Sequence, residues 1–270
     1  MTAYLKIMPA DIPFHSVTIT PSVATNEHKT EWNLVAGERY QQFELASAAA
    51  SSENLVFDLG SDYASKYNTV EAIIIARADK LQGLTTTRVR IDSSSDDVSY
   101  TSRLDSTSFD SATLYGPRED DFINTTTETA AFRYWKVTYF GASVFTHSKL
   151  YFGKFFTFDQ SPDFVPRLIE AGESRWYSSS GAAHFIRPDE PVYQFDFVFT
   201  RLTDATIAAF INRIGRWKHI APVFLYTTGQ HQILANQRLV HAHLRSFEWR
   251  RLPGVNNLNE CRMTFEEVLG

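Results

Sequence analysis

The sequence predicts a mainly β protein built from two sheet-based domains, with a single packed α-helix in the second. Three observations carry this. The segment 132–158, FRYWKVTYFGASVFTHSKLYFGKFFTF, sets Trp135, Val137 and Tyr139 against Tyr134, Lys136 and Thr138, the period-2 alternation of a strand with one buried face. Phe (21) and Tyr (12) are abundant, and both favour strands. Only residues 203–217 repeat apolar side chains at helical spacing, through Ile207, Phe210, Ile211, Ile214 and Trp217.

Composition sets the outer limits. The length of 270 residues suits one large or two ordinary domains. Residues 132–158 read as a hairpin: Gly141-Ala142-Ser143 breaks it, and Leu150, Phe152, Phe156 and Phe158 oppose Tyr151 and Phe155 in a second strand covered on both faces. The hairpin is taken to close the first domain and open the second; one continuous sandwich is the alternative. The lone Cys261 excludes an internal disulfide and any cysteine-based cluster, which suits assembly in a reducing cytoplasm. The start has no basic region followed by a long apolar run, so no signal peptide is expected. No run of 18 apolar residues occurs, so no membrane span is expected. A net charge of −5 argues against a protein whose task is to hold nucleic acid.

Along the chain, short strands are predicted at 4–7 and 16–19, separated by Pro9 and Pro13. Residues 55–59 form a strand stopped by Gly60, 70–77 a central strand, and 88–92 a strand with Val89 and Ile91 inward. Residues 93–97 form a turn, followed by strand-like 98–101. Residues 102–131 are rich in Ser, Thr and Asp with Gly116-Pro117 as a breaker. They read as a long loop, and long loops in compact domains carry function or motion.

The order DLGS, VEAIIIAR, RVRIDSSSDDVSYT, FRYWKVTYFG resembles the galactose-binding-like jelly roll of discoidin-type domains over roughly residues 30–155. Asp97 stands where that family usually has glycine, and Tyr100 where it has tryptophan. The resemblance implies a jelly-roll β-sandwich over 26–158 whose end loops bind sugars, lipids or proteins. It makes the turn at 93–97 and the loop at 102–131 the expected contributors to a glycan or partner site, through Asp96, Asp97, Phe109, Tyr115 and Phe122. Capping the domain's own core is the other role open to those aromatics. Trp135, Val137 and Tyr139 are the expected core.

In the second half, residues 159–190 read as a loop with extended pieces at 176–177 and 184–186. Residues 192–200 form a strand with Tyr193, Phe195, Phe197 and Phe199 on one face. Thr203 or Asp204 caps the helix 203–217, whose core face is Ile207, Phe210, Ile211, Ile214 and Trp217. Residues 237–252 form a long strand in which Val240, Ala242 and Leu244 share a face before the parity shifts to Phe247 and Trp249, the mark of a β-bulge or bend. Cys261, Met263 and Phe265 face inward on the last strand.

Strands flanking one helix and closing on F-E-E-V-L resemble the ring-forming domain of distal tail proteins, the tail-tip or baseplate subunits of long-tailed bacteriophages. The resemblance implies a ring domain over 159–270, with a β-barrel or sandwich similar to the tail-tube subunit. The strands in 1–25 would then pair with it. It implies a structural, non-enzymatic subunit without a cofactor, in a virion tail assembled in the host cytoplasm. Its expected partners are copies of itself in a hexameric ring, or a trimer, with tail-tube and tip or hub proteins, a surface glycan, and DNA that only passes through the lumen. A carbohydrate-binding module for attachment to a cell surface is the alternative.

Other chemistry is weakly marked. His241-x-His243 puts two imidazoles on one strand face, but a metal needs three or four converging ligands, so no metal site is assigned. Asp92, Asp96 and Asp97 could hold calcium, and a solvated acidic turn explains them as well. Glu119, Asp120 and Asp121 are adjacent in sequence, which does not define the two-sided geometry of glycoside cleavage. No nucleophile elbow, P-loop or Rossmann fingerprint occurs. Cys261 alternates with core residues and reads as a buried thiol. Arg245, Arg250 and Arg251 read as interface or surface charge.

Overall fold

The computed structural model describes residues 5–9, 18–21, 43–44, 52–61, 71–78, 88–106, 121–125, 132–140, 146–169, 175–177, 183–185, 192–215, 222–227, 239–254 and 257–268. It is mainly β. In chain order the strands are β1 (Leu5–Pro9), β2 (Thr18–Pro21), β3 (Phe43–Glu44), β4 (Ser52–Asp58), β5 (Ala72–Ile75), β6 (Arg88–Ser94), β7 (Thr101–Ser106), β8 (Phe122–Thr125), β9 (Tyr134–Phe140), β10 (Thr146–His147), β11 (Leu150–Gly153) and β12 (Phe156–Thr157). There follow β13 (Asp163–Ile169), β14 (Arg175–Tyr177), β15 (Ala183–Phe185), β16 (Val192–Thr203), the helix α1 (Asp204–Arg213), β17 (Val223–Thr227), β18 (Leu239–Arg251) and β19 (Leu258–Glu267).

The chain divides into two compact units, one of residues 1–7, 156–235 and 240–269, the other of residues 8–155, 236–239 and 270. The strands expected together in 1–25 are therefore divided: β1 pairs with β12 in the first unit, and β2 pairs with β4 in the second. The hairpin expected over 132–158 does not form. β9 pairs with β4 and β6, whereas β11 pairs with β5 in a different sheet. The run after Leu150 also splits at Gly153, and its second piece, β12, joins the other unit's sheet. Local alternation fixes which face a strand buries, but its partner is a long-range choice.

The unit containing β2 to β11 is a β-sandwich of jelly-roll type. Its five-stranded sheet runs β2-β4-β9-β6-β7, and a three-stranded sheet runs β11-β5-β8. Leu55, Phe57, Val89, Ile91, Trp135, Val137 and Tyr139 are buried on the inner face of the larger sheet. Phe152 meets them from β11, with ring centroids 5.5 Å from Phe57 and 5.4 Å from Trp135. The expected core of Trp135, Val137 and Tyr139 lies inside this sandwich. Two pieces of the expected loop 102–131 are strands: β7 ends at Ser106, and β8 lies beside β5.

The other unit is a seven-stranded sheet, β12-β1-β17-β18-β19-β16-β13. Its core takes in Leu5, Ile7, Phe195, Phe197, Phe199, Cys261, Met263 and Phe265. Thr203 caps α1: its Oγ1 accepts from Thr206 N at 3.2 Å, satisfying one orphan donor of the first turn. Ile207, Phe210 and Ile214 are buried against the sheet and Ile211 is half-buried. Trp217 lies outside the described residues, and α1 itself ends at Arg213 rather than 217. The register of β18 with β19 shifts between Leu244 and Ser246, where the sequence parity changes. In the region 159–190 the extended pieces expected at 176–177 and 184–186 are β14 and β15, which pair with one another, and part of the expected loop is β13, paired along its length with β16.

Candidate functional site

The sandwich gathers polar and aromatic side chains at one end of its larger sheet. Across β4, β9 and β6, Asp58 pairs with Tyr134 and Tyr134 with Ser94. The next row on the same face sets Val56 beside Lys136 and Lys136 beside Asp92. These are the side chains that alternate away from Phe57, Trp135 and Val137, so burial of the core forces them outward. The turn after β6 sits directly above this face.

That turn is held by its own side chains. Ser94 Oγ accepts from the backbone N–H of Asp96 at 3.2 Å and of Asp97 at 3.1 Å. Asp96 Oδ1 accepts from Ser94 Oγ at 2.8 Å and from the N–H groups of Val98 and Ser99, each at 2.9 Å. Those two N–H bonds, then the Ser94 hydroxyl, hold the Asp96 carboxyl down to about 2. Asp97 adopts φ 62, the left-handed region that short polar side chains tolerate. This explains why aspartate can replace the usual glycine there. The result is a fixed tip on which Val98 is 81% exposed.

Behind the tip, the Tyr100 hydroxyl donates to the Asp97 carboxylate. Burial first, and that bond second, raise the Tyr100 phenol well above its ordinary range. Lys136 Nζ lies 3.8 Å from the Tyr100 ring centre and 4.0 Å from Asp92. Arg133 grips Asp58 through Nε at 2.6 Å and Nη2 at 2.7 Å, and its guanidinium covers the Tyr134 ring at 4.8 Å. Gly60 N–H adds a bond to Asp58 at 2.9 Å. The Arg133 bond is the main cause that lowers the Asp58 carboxyl. Tyr134, which Arg133 covers, pairs with Ser94 at the base of the tip, so the tip and the fork share one end of the sheet. Arg103 donates to Ser93 Oγ at 2.7 Å and covers Phe132 at 4.7 Å.

The structure thus brings Asp96 and Asp97 together, but not with Phe122. Phe122 is half-buried on β8 of the three-stranded sheet, opposite Ile75. Phe109 and Tyr115 lie outside the described residues, as do Glu119 and Asp120. Asp121 is buried and accepts from Arg77 N at 3.3 Å. Arg133, Asp58, Tyr100, Tyr134 and Lys136 were not expected at the site. For Asp58, Tyr134 and Lys136 a signal was available: each sits at the polar parity of its strand, and only the pairing of β4 with β9 aligns them. Arg133 and Tyr100 flank β9 and β7 and carry no such mark.

In the seven-stranded unit His241 is buried and stacks on Phe224 at 4.7 Å. Among the described residues no group of three His, Cys, Asp or Glu could hold a metal ion. Burial raises the Cys261 thiol to about 12, as expected of a core residue. Arg245 pairs with Glu266, Arg250 with Glu260 at 2.7 Å and Arg251 with Asp204 at 3.0 Å.

No protein-family model matches the chain, and no curated protein matches it. Among solved structures it is similar to the CBM32 of AlyQ in complex with 4,5-unsaturated mannuronic acid, at 22% identity and TM-score 0.38, over 50% of this chain and 92% of that one. It is similar also to the family 32 CBM of C. perfringens NanJ in complex with galactose, at 12% identity and TM-score 0.41, over 55% and 99%. A chitosan-binding module from Paenibacillus sp. IK-5 gives 14% identity and TM-score 0.38, over 51% and 93%.

Proposed function

We propose that the chain is a non-catalytic carbohydrate-binding protein whose jelly roll attaches it to a glycan surface. The observation that supports this reading is the preorganised patch at the end of β4, β9 and β6. The Asp58–Arg133 fork and the Asp97–Tyr100 pair both belong to that end of the sheet. Asp97 is exposed, Tyr100, Asp58 and Arg133 are partly exposed, and each pair is held by further partners, so their remaining donors and acceptors meet a ligand without reordering. A sugar is recognised by such planar polar groups set beside an apolar contact, here Val98. Glycan-array binding by the full chain tests it. Asp97→Ala and Arg133→Ala should each abolish retention while leaving the circular dichroism unchanged. Silence of the folded wild-type chain across the array overturns the reading.

A second reading keeps the chain as a structural subunit of a phage-type tail tip, with the glycan site as its accessory. It is supported by the position of the sandwich in sequence. β1 and β12 are neighbours in the seven-stranded sheet, so the jelly roll is inserted between them in sequence, and the sheet with α1 belongs to a separate unit. In this reading the unit assembles as a hexameric or trimeric ring, with tube and hub proteins as neighbours and DNA passing through. Native mass measurement decides it: a chain that stays monomeric when mixed with such neighbours sinks it.

A further inference from the structure

The end of the β18–β19 hairpin carries a second surface. Phe224 of β17 stacks on His241, which sets β17 beside the first half of β18. β17 has 5 residues and β18 has 13. At about 3.4 Å per residue, β17 ends before Ser246 whichever way it runs. Among the described residues, Ser246 to Arg251 is therefore paired on one side only, with β19. Glu248, Trp249, Arg250 and Arg251 are all exposed. Trp249, 51% exposed, borders an apolar groove with Ile207, Ala208 and Ile211 of α1, closed at one end by the Asp204–Arg251 pair. An open strand edge with an exposed tryptophan is a pairing surface unless something covers it.

We propose that this edge pairs with the same edge of a second copy, antiparallel, on a two-fold axis through Trp249. The charges select this occupant. In the hairpin Glu248 lies opposite Arg262, and Arg250 opposite Glu260. A two-fold through Trp249 places Glu248 opposite the second copy's Arg250, and Arg250 opposite its Glu248. The row across four strands then reads Arg262, Glu248, Arg250, Glu260, alternating in sign throughout, and the companion row is its mirror. Opposite charges directly across from one another stabilise a strand pair, and like charges destabilise it. On the other face the two Trp249 rings meet at the axis, beside the grooves along α1. A parallel pairing about the same residue would set Glu248 on Glu248 and Arg250 on Arg250. The contact is isologous and closes at two copies, unlike the head-to-tail contact of a ring, and it does not depend on glycan binding.

Analytical ultracentrifugation of the full chain tests this. The wild type should dimerise, and Glu248→Arg or Arg250→Glu should each weaken the dimer at least tenfold. The first variant sets arginine against arginine, the second glutamate against glutamate. Mixed one to one, the two variants should recover a heterodimer, since every cross-axis pair is again opposite in sign. That recovery also shows both variants to be folded. Under oxidation Trp249→Cys, made together with Cys261→Ala because Cys261 lies directly opposite it, should cross-link to its own copy. A monomeric wild type overturns the proposal. So does a wild-type assembly of any size that both variants leave intact, or the absence of both the heterodimer and the cross-link.

Discussion

Trp135 and Trp249, in the two largest sheets, make opposite use of one side chain. Trp135, in the jelly roll, has 0% of its surface exposed, and Trp249, in the seven-stranded sheet, 51%. Both lie on the apolar parity of a strand. Trp135 is roofed: Phe152 lies 5.4 Å away across the sandwich, Phe132 closes its edge at 6.3 Å, and its Nε1–H donates to Phe132 O at 3.2 Å. Trp249 sits opposite the buried Cys261, yet the core that covers Phe247 and Leu244 ends before it. Parity tells which way a side chain points, and burial depends on whether another layer extends that far.

The largest effect should come from breaking the roofed side. Trp135→Ala removes a fully enclosed ring and leaves a cavity, at a cost of about 3–5 kcal/mol. Chemical denaturation of the full chain should show the jelly-roll transition shifted by that amount, or lost. A shift below 1 kcal/mol would contradict the packing described.

A second break in the same sandwich is acid. His147 is buried, its Nδ1–H donates to Ser148 O at 2.7 Å, and Nε2 accepts from the Tyr139 hydroxyl. Burial holds this imidazole down to about 4, against 6.5 in the unfolded chain. Between those values the unfolded chain binds more protons. Stability is therefore complete above about pH 6.5 and falls as the pH drops towards 4, by up to about 3 kcal/mol. His147→Gln should flatten that part of the stability profile, read by denaturation at a series of pH values. An unchanged acid slope would assign it to other groups.

The seven-stranded unit has a smaller counterpart. Thr203→Ala removes the hydroxyl that caps α1, worth about 1 kcal/mol in such positions. Thermal unfolding should shift accordingly. Thr203→Ser should retain the cap.

The same contrast explains what the sequence disclosed. Alternation made the inner faces of β9, β16 and β19 legible, and the helical spacing of Ile207, Phe210 and Ile214 placed α1. The change of parity between Leu244 and Phe247 announced the register shift between β18 and β19. In 159–190 the extended pieces expected at 176–177 and 184–186 are β14 and β15, whereas β13 stayed hidden, because Pro166 interrupts its alternation. The candidate site was half legible. Asp96 and Asp97 stood out as a turn, while Asp58, Arg133 and Lys136 come from 36 to 40 residues away in sequence. Strand pairing alone brings them together, and periodicity within one strand carries no information about it.

The smallest effect is expected where the comparison is sharpest. Trp249→Ala, measured at concentrations where the chain is monomeric, should change stability by about 0.5 kcal/mol or less, the usual range for an exposed position. The ring contributes little to folding because half of it already faces water. The helix beside it is anchored by Ile207, Phe210 and Ile214 instead. The same substitution should weaken self-association, where the ring would be desolvated against its own copy. Denaturation in dilute solution and sedimentation in concentrated solution separate the two effects. A loss of 2 kcal/mol or more in the dilute experiment would show that Trp249 is a core residue after all, and that its strand belongs to the fold and not to an interface.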